Sequence, residues 1–96
     1  MKLRPEVTLE VLNARGAGRL PGLFGLQVLR IAQGELDMRL PVRDELLAPN
    51  GFLHAASVIA VADTACGYAC VAHLPDGAAS FTTIELKSNF LGTVTE

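Results

Sequence analysis

The sequence predicts an α+β fold in which an antiparallel sheet wraps around one long helix. Residues 53–73 are apolar or small on nearly every side of a predicted helix, so this helix should be covered all round. Residues 35–42 and 80–94 alternate between apolar and polar side chains, which is the period of a strand with one buried face. A helix buried on every side needs a sheet that curves around it, and these strands would supply one.

The elements can be assigned in order along the chain. Residues 6–15 fit either an amphipathic helix or a short alternating strand, and the glycine-rich stretch that follows favours a helix. Gln33-Gly34 separates two strand-like runs and predicts a tight hairpin turn. The predicted elements are therefore a helix at 6–15, a hairpin at about 24–43, a central helix at about 53–73 and a strand at about 80–94. Since the sequence ends inside this third strand, we expect a sheet that is truncated there.

The composition indicates a single small globular domain that associates with other copies of itself. Half of the 96 residues are hydrophobic and 19% are charged, which excludes a disordered chain. A domain of this size buries only about 60% of the surface that its unfolded chain exposes. Part of its apolar surface should therefore be covered by another chain, and we expect a homo-oligomer.

The distribution of charged residues and of cysteines indicates which kinds of partner the protein binds and in which cellular compartment it is found. The net charge is −2, the eight basic residues are scattered and there is no Trp, so nucleic-acid binding is not expected. The amino terminus lacks the apolar core of a secretory signal. Ser57 and Asp63 interrupt the longest apolar stretch, which should fall short of the roughly 20 residues of a membrane span. Cys66 and Cys70 cannot form the framework of a secreted protein, so a cytoplasmic location is expected.

Asp63 is a carboxylate in the middle of the predicted apolar helix. Such a group is costly there unless it is paired, hydrated or used in chemistry. The first N–H groups of the helix fall near Ala55, where they favour negative charge, including the oxyanion that forms when a carbonyl is attacked. Asp63 could act as a base or nucleophile, but it lies about 12 Å from Ala55 along the helix axis. One chain cannot bring both groups to the same carbonyl.

A two-fold dimer with antiparallel central helices would bring the two groups together, because each helix start would lie beside the middle of its partner. One face of the helix suits such packing, because all the residues on that face except Asp63 have small side chains. This small-residue stripe consists of Ala56, Ala60, Asp63, Gly67 and Cys70. The alternative is that the stripe is only a packing groove, with Asp63 bonded to a neighbouring backbone or hydroxyl group.

Three stretches carry a family pattern: NGFLHAA at 50–56, VADTACG at 61–67 and TTIELKSNFL at 82–91. Together they resemble the hotdog-fold acyl-CoA thioesterases, and among these the phenylacetic-acid-degradation branch. The resemblance covers about residues 20–96. The family usually has His-Gly-Gly where this chain has His54-Ala55-Ala56, so two methyl groups are added at the helix start.

The resemblance implies a hotdog fold and hydrolysis of a small acyl-CoA thioester, aromatic acyl groups included, at two sites shared across a dimer interface. Asp63 would attack the thioester or activate water, and the Ala55 N–H of the other subunit would polarise the carbonyl. Asn50 would hold the thioester or the water, and His54 would support the loop or the substrate. Thr83 would orient water. The dimers would pair into a dimer of dimers, with no cofactor required.

The substrate contacts are expected on small and aromatic residues around the helix start and the following strand. Ala56 and Gly67 would leave room for the substrate, and the acyl pocket would be walled by Leu23, Phe24, Phe52 and Phe90. Apolar walls of this kind do not discriminate one small acyl group from another.

Two other functions on the same fold remain open. A binding module would hold an acyl-CoA without turning it over, and the added methyl groups of Ala55 and Ala56 favour that reading. A hydratase would need a histidine beside the acid, whereas His54 and Asp63 lie nine residues apart, which makes this the weakest of the three. Cys66, Cys70 and His73 share a helical face that could hold a metal ion, but a fourth ligand is not evident, so no metal is expected.

Overall fold

A computed structural model of the chain describes residues 2–75. The predicted strand at about 80–94, with Thr83 and Phe90, lies outside these residues. The described elements are α1 (Leu9–Arg15), α2 (Leu20–Phe24), β1 (Gln27–Ala32), β2 (Glu35–Arg39), a 3-10 turn (Asp44–Leu46) and α3 (Ala55–Ala72).

Helix α1 begins three residues later than the predicted start at residue 6. Thr8 has an extended backbone and its hydroxyl accepts the N–H of Val11 at 3.2 Å, so Thr8 is the N-cap residue. Side chains on one face of α1 enter the core, and Leu12 is fully buried there. The helix alternative for this segment is therefore the one that the structure adopts.

Helix α2 was not predicted, and it moves the start of the hairpin from about residue 24 to Gln27. Pro21 lies in the first turn of α2, and Gly25 ends the helix in the left-handed conformation. The N–H of Gly22 donates to the carbonyl oxygen of Gly16 at 2.9 Å (N to O), so the two backbones cross. A Cβ atom at position 22 would lie 2.3 Å from that oxygen. This close crossing is the physical reason for Gly16 and Gly22 in the glycine-rich stretch, whereas Gly18 has a φ of 73°.

Strands β1 and β2 pair in antiparallel fashion around the predicted turn, where Gly34 has a φ of 74°. The pairing shifts by one residue between Val28 and Arg30, which makes Leu29 a bulge. The second strand ends at Arg39 rather than at about 43, because the next residues include Pro41, which has no N–H for a ladder.

The outer side of β1 is bonded to α1 through one amide side chain. Asn13 accepts the N–H of Val28 with its Oδ1 at 2.8 Å and donates from its Nδ2 to the carbonyl oxygen of Val28 at 3.2 Å. The amide thus pairs with the strand as a neighbouring peptide group would. It satisfies the N–H and the carbonyl oxygen of Val28, which face away from β2. Beneath it, Val7, Leu12, Val28 and Ala72 form the buried core.

Helix α3 packs against β2 and α2, and it starts at Ala55 rather than 53 and ends at Ala72 rather than 73. The prediction that it is covered all round is wrong for the single chain, since only Ser57 and Ala72 of its residues are buried. The prediction that the stretch is too short for a membrane span also fails, because the 18 residues of α3 reach that length at a mean hydropathy of 1.6. The core helix of a soluble protein passes the same test.

Candidate active site at the start of helix α3

The loop before α3 is tied to the first turn of the helix through one carbonyl group. The carbonyl oxygen of the buried Leu46 accepts the N–H of His54 at 3.0 Å and the hydroxyl of Ser57 at 2.9 Å. Ser57 is 3% exposed, and this bond satisfies its hydroxyl. An isolated bridge between Leu47 and Leu53 closes the loop. The loop and the helix start therefore form one rigid unit.

Asn50 stabilises the turn within this loop. Its side-chain Oδ1 accepts the N–H of Phe52 at 3.1 Å, and Gly51 between them has a φ of 88°. Asn50 is exposed, and Phe52 is 40% exposed beside it. The structure thus gives Asn50 a turn-forming contact, while the predicted role on the thioester or water stays a prediction.

His54 is the N-cap of α3, and its ring accepts the N–H of Ala56. Of the N–H groups of Ala55 and Ala56, the first two of the helix, this one is therefore not available to a ligand. The Nδ1 of His54 accepts the N–H of Ala56 at 2.9 Å (Nδ1 to N). A neutral imidazole that accepts at Nδ1 carries its proton on Nε2. The N–H of Ala55 forms no hydrogen bond within residues 2–75. An acceptor from outside could therefore bind at Ala55 without displacing the cap.

Asp63 lies exposed on the same helix, about two and a half turns beyond the cap. At about 1.5 Å per residue it is about 12 Å from Ala55 along the axis. Within one chain the structure therefore does not bring Asp63 to the helix start. The small-residue stripe that contains it is open in the single chain: Ala60 and Gly67 are half-buried, and Ala56, Asp63 and Cys70 are exposed.

A cleft of about 350 Å³ opens beside the first turn of α3. It is lined by Leu23, Phe24, Arg43, Glu45, Leu46, Leu47, His54, Ala56 and Ser57. Leu23 and Phe24, two of the residues expected in the acyl-pocket wall, are here. Ser57 was treated in the sequence only as an interruption of an apolar stretch, and Arg43 and Glu45 were not considered as site residues. The one available signal for the pair was a charged run at residues 43–45, separated by four residues from the NGFLHAA motif.

Arg43 links the two sides of this cleft. Its Nη2 donates to the carbonyl oxygen of Leu23 at the end of α2, and its Nε lies 3.6 Å from Oε1 of Glu45. The Arg43 side chain is 46% exposed and that of Glu45 is 74% exposed, so the pair lies at the mouth of the cleft. The buried Leu46 and Ser57 form its inner part.

On the helical face considered for a metal ion, both ring nitrogens of His73 form hydrogen bonds to the backbone. Nδ1 of His73 donates to the carbonyl oxygen of Ala69 at 2.8 Å, and its Nε2 accepts the N–H of Gly34 at 2.9 Å. Nδ1 thus fixes the ring to α3, and Nε2 joins the end of this helix to the hairpin turn. Across residues 2–75 the structure contains no group of three side chains that could hold a metal ion.

A crystal structure of a mutant thioesterase from Pseudomonas aeruginosa superposes on this chain with a TM-score of 0.88. The chain has the hotdog fold. The match covers 99% of this chain and 68% of that one at 22% identity. The predicted fold class, an antiparallel sheet with a long central helix, is confirmed.

Sequence comparisons connect this hotdog chain with thioester hydrolysis. Residues 50–96 match the family model of the Thioesterase superfamily. The 1,4-dihydroxy-2-naphthoyl-CoA hydrolase of Escherichia coli (strain K12) is 27% identical over 94 residues, which are 95% of this chain. The chain spans 66% of the length of that relative. Both matches are therefore with proteins named as thioesterases or CoA hydrolases.

Proposed function

We propose that this protein hydrolyses a small acyl-CoA thioester to the free acid and coenzyme A. The observation that carries the proposal is the arrangement at the start of α3. His54 Nδ1 occupies the N–H of Ala56, and the N–H of Ala55 has no acceptor within residues 2–75. A single N–H at the positive end of an 18-residue helix suits the oxygen of a thioester carbonyl, which gains negative charge when the carbon is attacked.

The second group of the proposed site is the carboxylate of Asp63 from another copy of the chain. Because Ala55 and Asp63 of one helix lie about 12 Å apart, the site needs a second helix in antiparallel orientation. The exposed apolar surface of α3 supports such packing. We infer a homodimer with two equivalent sites, which pairs further into a dimer of dimers.

The reaction would follow from these placements. The carbonyl oxygen accepts the Ala55 N–H. The Asp63 carboxylate either takes a proton from a water that attacks the carbonyl carbon, or attacks that carbon itself to form an anhydride, which water then hydrolyses to the free acid and the Asp63 carboxylate. The carbon–sulfur bond breaks and coenzyme A leaves as the thiolate, which then takes up a proton. Asn50 would hold the thioester or the water, and Thr83 would orient the water.

The acyl group would occupy the cleft beside the helix start. Its volume of about 350 Å³ is at the small end for ligand pockets, and Leu23, Phe24 and Leu47 supply apolar walls. The Escherichia coli relative is named for an aromatic acyl-CoA. We therefore favour aromatic acyl groups. The resemblance carried by residues 50–56, 61–67 and 82–91 leads us to propose the phenylacetic-acid-degradation branch. Ala56, Gly67, Phe52 and Phe90 would contact the substrate, and we infer a cytoplasmic enzyme.

The deciding experiment measures coenzyme A release from a panel of aromatic and short aliphatic acyl-CoAs. Asp63→Asn keeps the size and removes the charge, and we expect it to lose at least about 100-fold in kcat with substrate still bound. Asp37→Asn, the same change on the exposed face of β2, is the matched control and should retain activity. Equal rates for the wild type and Asp63→Asn would refute the assignment of Asp63.

A non-catalytic acyl-CoA binding module is the second candidate. It is favoured by Ala55 and Ala56, whose methyl groups stand where relatives in the resembled family have glycine. Binding of the thioesters without thiol release by either the wild type or Asp63→Asn would select this function.

A further inference from the structure

The cleft beside α3 contains an ion pair whose position suits recognition of a polar substituent. Arg43 and Glu45 lie at its mouth, while the residues deeper in the cleft are mainly apolar. The cleft also reaches His54 and Ala56 in the first turn of α3, next to the Ala55 N–H. An acyl group whose carbonyl binds Ala55 could therefore extend past Leu46 toward the pair.

The guanidinium group of Arg43 is held in place before any ligand arrives. One contact goes to the carbonyl oxygen of Leu23 at the end of α2, and another to the carboxylate of Glu45 within the 3-10 turn. Groups that are already fixed lose little conformational entropy on binding, so they discriminate between ligands better than mobile side chains.

The pair offers both kinds of hydrogen-bonding group to one ligand atom. Arginine has five N–H donors, and these two contacts use only part of them. The Glu45 carboxylate is an acceptor that can take the hydrogen of a hydroxyl group. A bare ring pressed against the pair would remove water from it and return no hydrogen bond, which is unfavourable. An anionic substituent could pair with Arg43 only beside the like charge of the Glu45 carboxylate, which disfavours it relative to a neutral hydroxyl group.

We propose that Arg43 and Glu45 are specificity-determining residues that select a neutral hydroxyl group on an aromatic acyl chain and reject a carboxylate there. This inference rests on the proposed function, because it assigns the cleft to the acyl group of the substrate. Arg43 donates to the hydroxyl oxygen, and Glu45 accepts its hydrogen.

The test compares three thioesters that differ at one ring position: benzoyl-CoA, 4-hydroxybenzoyl-CoA and 4-carboxybenzoyl-CoA. Glu45→Gln should lower kcat/KM for the hydroxylated substrate at least about tenfold and leave benzoyl-CoA within about twofold, since one charged hydrogen bond is lost. The same variant should raise kcat/KM for the carboxylated substrate, because the repelling charge is gone while Arg43 remains. A role of Glu45 in stability alone would not increase activity on any substrate.

Glu6→Gln is the matched control, because Arg4 and Glu6 form a pair with the same spacing and the same 3.6 Å separation away from the cleft. It should leave all three substrates unchanged. Arg43→Met should abolish the preference for the hydroxyl group, and a parallel unfolding curve shows whether loss of the Leu23 contact also destabilises α2. Equal changes on all three substrates in Glu45→Gln, or none, would overturn the inference.

A binding measurement separates this inference from the proposed function. Phenacyl-CoA and 4-hydroxyphenacyl-CoA carry a carbonyl group but no thioester bond, so they bind without turnover. Tighter binding of the hydroxylated compound to the wild type but not to Glu45→Gln, with no hydrolysis of any thioester, would support the specificity pair and refute the hydrolase. Hydrolysis with equal binding of the two compounds would do the reverse.

Discussion

His54 shows how one side chain can prepare a site by engaging the backbone. Its Nδ1 takes the N–H of Ala56, so the ring serves as the N-cap of α3. In the proposed site, the neighbouring N–H of Ala55 would then be the one that binds the carbonyl group. The imidazole would act on the reaction through the helix start, as a positioning residue, rather than by transferring a proton.

Replacing His54 separates capping from proton transfer. His54→Ala removes the cap and should lower the free energy of unfolding by about 1 kcal/mol, whereas His54→Asn supplies another capping side chain and should recover most of it. Urea unfolding measures the stability, and the pH profile of kcat/KM measures the chemistry. If His54→Asn is stable but loses a protonation step from the pH profile, the ring takes part in the reaction itself.

Ionisation of the Tyr68 phenol makes the free energy of unfolding depend on pH in the alkaline range. Burial raises the pKa of its phenol, an effect that the nearby Arg15 partly opposes. In the folded state the phenol therefore keeps its proton at a pH where the unfolded chain has lost it. Since the folded state then binds more protons, the free energy of unfolding falls as the pH rises above the ordinary tyrosine pKa of about 10.

Tyr68→Phe tests this dependence directly. Tyr68 is the single tyrosine of the chain, so its ionisation can be followed by ultraviolet absorbance without interference. The variant should lose less stability than the wild type between about pH 9 and pH 11. An identical decline in both proteins would show that other groups cause it.

The residues of the candidate site were predictable to different degrees. The helix start and Asp63 could be found because a carboxylate in an apolar helix is costly, and because the motif has a family pattern. The bond between His54 and Ala56 could not, since it depends on the rotamer of one ring. Arg43 and Glu45 could not either, because their place in the cleft depends on α2 folding back over the loop that precedes α3.

At the scale of elements, the departures from the prediction have local causes. The bulge at Leu29 places Val28 and Ile31 on the same side of β1, three positions apart instead of two. The alternation expected of a strand is therefore broken in QVLRIA although the strand is present. Helix α2 escaped prediction because it has five residues, too few for a helical period to show.

Asn13 should be a major contributor to the junction between α1 and β1. Asn13→Ala removes both hydrogen bonds and leaves two backbone groups of Val28 without their partner, so we expect a loss of about 1–3 kcal/mol in unfolding free energy. Asn13→Asp keeps the acceptor and loses the donor, so it should fall between the wild type and the alanine variant. Chemical unfolding of the three proteins gives the order of their stabilities. Equal unfolding midpoints would contradict a stabilising role of Asn13.

At the scale of the whole molecule, the exposed surface of α3 is the proposed contact between two copies of the chain. In the proposed dimer, Ala55 of one chain lies beside Asp63 of the other, so the symmetry axis passes midway between them, near Ile59 and Ala60. Ala60→Glu would place two like charges against each other there. We expect a monomer in analytical ultracentrifugation and the loss of coenzyme A release.

Ala17→Glu is the control for this variant, because it adds the same charge at an exposed loop position. It should sediment as the wild type does. A dimer that persists in Ala60→Glu would place the contact on another face of the molecule, and the shared site would then need a different arrangement of the two helices.

The separation of Ala55 and Asp63 along one helix also has a genetic consequence. An allele that encodes Asp63→Asn and an allele that disrupts the helix start would each be inactive alone. In a mixed dimer, one site would collect both defects and the other would be intact. With random pairing, half of the dimers are mixed, so co-expression should restore about a quarter of the wild-type activity. Two null alleles of this gene would complement each other.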